Sequence, residues 1–93
     1  MTTDEVCASY ATRGTKVTCR TMDDSVLIEG DRETLEFLGN LILAQAGDVD
    51  CCHKSIAPNA AGSALFTTQS NVGIYIHRLP CDHEPALSSS GGA

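Results

Sequence analysis

Ninety-three residues with six basic and twelve acidic side chains, net charge −6, bound one small domain. They exclude a nucleic-acid footprint, which needs a basic surface, and docking on anionic membranes. The longest apolar stretch, LILA at 41–44, is far too short to span a bilayer.

The opening MTTDEV has no basic or apolar leader pattern, so the expectation is a soluble, bacterial-type cytoplasmic protein with reduced thiols. Residues 1–14 read as a flexible N-terminal segment, although Val6, Cys7 and Tyr10 offer apolar contacts. Residues 15–85 read as a single α+β domain. The tail 86–93, ALSSSGGA, is small and polar and reads as disordered.

Lys16 to Met22 alternates, with Val17, Cys19 and Thr21 on one face, and predicts a half-buried strand. Asp23-Asp24 is a turn pair, and Ser25 to Glu29 returns as the second strand of a hairpin. Asp31 is a good N-cap for a helix from about Arg32 to Ala46. Leu35, Leu38, Leu41, Ile42 and Gln45 recur at helical spacing, and Gly47 stops the helix.

Val49 to Ile56 predicts a third strand, Ala64 to Thr68 a short one, and Val72 to Leu79 a strong one that Pro80 ends. The expected order is β-β-α-β-β: one amphipathic helix packed on a largely antiparallel sheet. The far face of that sheet would carry Thr18, Arg20, Tyr75 and His77.

Six of the eight cysteine and histidine residues fall in two clusters, Cys51-Cys52-His53 and His77/Cys81/His83. Zinc takes four thiolate or imidazole ligands, and Cys51, Cys52, His53, Cys81 and His83 form the candidate set for a metal-binding domain. The competing reading makes them packing and surface residues, since no zinc spacing is matched and adjacent strand residues face opposite ways. No catalytic residue is assigned: a Cys–His nucleophile pair lacks its context, and Gly62 and Gly73 form no phosphate loop.

Glu29, Asp31, Glu33 and Glu36 gather acidic charge where the hairpin enters the helix. They are the candidate contacts for a basic protein partner, set against the plainer reading of a solvated face that favours the helix dipole.

The stretch VLIEGDRETLEFLGNLIL, a His-bearing segment at Cys51–Lys54 and a closing VGIYIHR strand together resemble a small immunity-protein family of bacterial polymorphic toxin systems. The resemblance covers roughly Val17 to Leu79. The Cys51-Cys52 pair and the segment KSIAPNAAGSALF depart from it. It implies a non-enzymatic protein that binds and blocks a toxin domain; outside the zinc reading, no cofactor is expected. A homodimer built on the exposed sheet face is compatible with either the binding or the metal reading.

Overall fold

The computed structural model describes residues 1–48 and 52–81. Over these residues it is an α+β fold of two α-helices and two antiparallel sheets of two strands each.

The first element is a helix, α1 (Thr3–Thr12), where the sequence reading expected a flexible segment. Thr2 Oγ1 accepts from the Glu5 backbone N–H at 3.1 Å, and Glu5 Oε1 accepts from the Thr2 N–H at 2.8 Å. This reciprocal capping box satisfies two donors that the helix start leaves open. Val6 and Tyr10, one turn apart on the same face, are buried in the core.

The hairpin forms as its alternation dictates. β1 (Thr18–Met22) pairs antiparallel with β2 (Ser25–Glu29), with Cys19 opposite Ile28. Asp23 turns the chain at φ +49°, a left-handed conformation that Asp tolerates. Helix α2 (Arg32–Gly47) follows, and its Asp31 cap accepts from the Thr34 N–H at 2.9 Å. Thr34, Phe37, Leu38, Leu41 and Gln45 form its buried face. Leu35 and Ile42, expected inside, lie 48% and 54% exposed.

The second half departs from one continuous sheet. β3 (His53–Ile56) pairs with β4 (Ile74–His77) as a separate ribbon, with His53 opposite His77 and Ile56 opposite Ile74. The start of the expected third strand, at 49–51, and the tail lie outside the described residues. The short strand expected at Ala64 to Thr68 is a 3-10 turn, Ser63–Leu65, followed by a lone bridge between Phe66 and Val17. Gly62 begins that turn at φ +84°, and a Cβ there would stand 2.7 Å from the Ile56 side chain. The backbone requirement and the close packing both select glycine.

The shared far face therefore does not exist. Thr18 and Arg20 belong to one ribbon and Tyr75 and His77 to the other, and Thr18 is buried. Residues 67–72 lie along the free edge of β1 instead. Ser70 Oγ accepts from the Cys19 N–H at 3.0 Å, and Asn71 Oδ1 accepts from the Thr21 N–H at 3.1 Å.

One core unites these pieces: Val6, Tyr10, Val17, Cys19, Phe37, Leu38, Leu41, Ile56, Leu65 and Phe66. Tyr10 and Phe37 pack with ring centroids 5.2 Å apart, and the Tyr10 hydroxyl accepts from Asn40 at 2.9 Å. Among the described residues, no helix is long and apolar enough to cross a membrane.

Candidate functional site

The β3–β4 ribbon positions the cysteines. Cys52 immediately precedes β3, and the Arg78 N–H just beyond β4 donates to the Cys52 carbonyl at 2.7 Å. The chain then bends through Leu79-Pro80 and returns Cys81 to Cys52, with Cα atoms 6.1 Å apart, where the two sulfurs form a disulfide. The expectation of reduced thiols throughout is corrected here. Strand pairing brings together two residues 29 apart in sequence, within the separation that a disulfide bridges. Cys7 and Cys19 are the free cysteines among the described residues. Burial pushes both of their thiols up, which makes them poor nucleophiles.

A third group joins the pair. One ring nitrogen of His77 and the sulfurs of Cys52 and Cys81 all lie within 4.8 Å of one another. Cys52 is buried, and His77 and Cys81 are half-buried. His77 Nε2 is buried with no hydrogen-bond partner among the described residues. With the disulfide reduced, two thiolates and an imidazole at these positions make a donor set for a soft divalent ion.

Of the five sequence-predicted ligands, the structure brings together Cys52 and Cys81. His53 sits opposite His77 in the ribbon, but its ring stacks on Tyr75, centroids 5.8 Å apart and planes 12° from parallel, and it is not in the cluster. Cys51 and His83 lie outside the described residues. His77 stands in the second sequence cluster but outside the candidate ligand set, since strand alternation puts it on the far sheet face with Tyr75. No local spacing signalled it: His77 ends β4, and the bend at Leu79-Pro80 returns Cys81 to it.

The acidic group is also locally organised. Glu29 ends β2 and is exposed. Asp31 caps α2, and the hydrogen bonds from Thr34 hold its carboxyl below the usual carboxylate range. Glu33 reaches Arg13 at 3.4 Å and accepts from the Thr15 hydroxyl at 3.5 Å, tying α2 to the end of α1. Glu36 pairs with Arg32 at 3.4 Å, one turn back. Exposed pairs of this kind contribute little to stability.

Beside these acids, α2 carries an uncovered apolar row. Leu35, Gly39, Ile42 and Ala46 are all exposed and recur at the i, i+4, i+7, i+11 offsets of one helix face. In the hairpin, Val26 and Ile28 are 57% and 48% exposed. Compared with protein-family models, curated proteins and solved structures, the chain matches none.

Proposed function

We propose that the chain is a small, acidic, cytoplasmic protein-binding module that acts by occlusion rather than catalysis. In the manner that its immunity-protein resemblance implies, it covers a basic toxin domain. The observation that supports this reading is the exposed apolar row of Leu35 and Ile42 on α2, the helix that Asp31 caps and that carries Glu33 and Glu36 in its first two turns.

Interfaces take their affinity from buried apolar anchors, and they take on-rate and selectivity from complementary charge. An apolar row with acidic neighbours, in a chain of net charge −6, fits a partner that is basic around an apolar patch. A nuclease-type active site, positive to hold its substrate, is such a surface. Glu29, Asp31, Glu33 and Glu36 are the charged contacts of this reading.

The test is co-purification of a basic polypeptide with the tagged chain at low salt. Co-expression should then relieve the growth arrest that the captured polypeptide causes. Raising ionic strength should weaken capture, because exposed charges beyond about 8 Å are screened at 0.15 M salt. Ile42→Asp and the double change Glu33→Lys/Glu36→Lys should each abolish relief while the variants keep the wild-type circular dichroism spectrum. Full relief by both variants would refute the assignment of this surface.

A specific observation favours a second reading, a metal-binding domain: the clustering of Cys52, His77 and Cys81.

A further inference from the structure

We infer that Cys52, His77 and Cys81 form a redox-gated zinc site, in which the disulfide is the metal-free state and the dithiol is the metal-binding one. This inference stands independently of the protein-binding reading.

The geometry comes first. The three ligand atoms lie within 4.8 Å of one another. A tetrahedral zinc with bonds of about 2.3 Å to sulfur and 2.0 Å to nitrogen needs ligand atoms roughly 3.5–3.8 Å apart. Once the S–S bond opens, the sulfurs need only separate to that spacing, and the β3–β4 pairing with the Arg78–Cys52 hydrogen bond holds the backbone beside them.

The second argument is the histidine. Among the described residues, His77 Nε2 is buried without a hydrogen-bond partner, which is costly to leave so, and His77 is the imidazole in reach of both sulfurs. A neutral imidazole offers its lone pair to zinc, and the ion supplies the missing interaction.

The third is charge. Cys52 is only 7% exposed, so an unpaired cation there would be strongly disfavoured. Two thiolates cancel the two charges of Zn²⁺, and the bound unit is neutral.

The chemistry balances with a reductant of the dithiol class. The dithiol gives up two electrons and two protons and becomes its own cyclic disulfide, and the Cys52–Cys81 bond breaks to two thiols. Zinc then displaces both thiol protons to solvent and forms two Zn–S bonds, with His77 nitrogen as the third ligand and water in the remaining position. A two-electron oxidant such as a disulfide reverses the sequence and expels the ion.

The experiment uses the full chain, freed of any histidine tag and reduced anaerobically with a dithiol. The dithiol is removed before zinc is added, and loosely held metal is then dialysed away. Reduced protein should retain about one zinc per chain, and the disulfide form should retain less than about a tenth of that. Cobalt substituted for zinc should give the intense visible bands of a tetrahedral thiolate site. Cys52→Ser, Cys81→Ser and His77→Ala should each lose the bands, whereas the double variant Cys7→Ser/Cys19→Ser should keep them. Amide exchange in the β1–β2 hairpin checks that each variant is folded. Zinc retention that is absent in the reduced protein, unchanged in the disulfide form, or unaffected by His77→Ala would overturn the inference.

Discussion

Reducing the Cys52–Cys81 bond in the presence of a chelator should destabilise this protein by an amount that its position in the chain determines. The bond closes a loop across a sequence separation of 29. In the chain-entropy description, opening such a loop returns about 12 cal/mol/K to the unfolded ensemble, or roughly 3.6 kcal/mol at 25 °C. A domain of this size is stable by only about 5–15 kcal/mol, so the loss is a large share of the total. Each kcal/mol moves the melting midpoint of a domain this small by roughly 4–8 °C, which gives a fall of about 15–30 °C. Calorimetry of the oxidised and the reduced, chelated protein measures it directly. The Cys52→Ser/Cys81→Ser variant should melt with the reduced protein. Oxidised and reduced forms that melt at the same temperature would refute the reasoning, because the bond would then constrain nothing in the unfolded chain.

Two further outcomes test the fold. Val6→Ala in α1 removes two methyl groups from a side chain that is 1% exposed and should cost about 2 kcal/mol in urea denaturation; a change near zero would mean that α1 is not part of the core. Asp31→Asn keeps a competent N-cap but removes a titrating group. The Asp31 pKa is lowered on folding, so near its titration the folded chain binds fewer protons than the unfolded one. Its contribution is present above the unfolded pKa and is lost as pH falls through the folded one. The wild type should therefore lose stability below about pH 4, and the variant should show a shallower slope in the same acid titration.

The hairpin and α2 were legible because each carries its own period. Val17 and Cys19 alternate with polar neighbours, and Asp31 marks a helix start. Helix α1 was hidden because its buried side is narrow, with Thr3 serving beside Val6 and Tyr10. The signal that it did carry was the Thr2-x-x-Glu5 capping pair, not an apolar stripe. Leu65 and Phe66 read as a strand from composition, yet Gly62 in the left-handed region sends the chain into a tight turn first. Leu35 and Ile42 show the opposite failure: periodicity names the apolar positions of a helix, but not which of them find a neighbour.

The candidate metal site was half legible for a related reason. Residue type pointed to Cys52 and Cys81. The inclusion of His77 and the exclusion of His53 depend on which way two paired strands face, and that pairing is a long-range property no local pattern encodes.

Ser70 and Asn71 do for β1 what a third strand would otherwise do. The Cys19 and Thr21 amides find their acceptors on side chains 51 and 50 residues further along the chain. Those two protons therefore gauge the docking of the second half on the first. The hairpin closes locally, but its outer amides remain open to solvent exchange until the β3–β4 half is in place. Exchange at these two amides therefore reports whether residues 67–72 lie against β1.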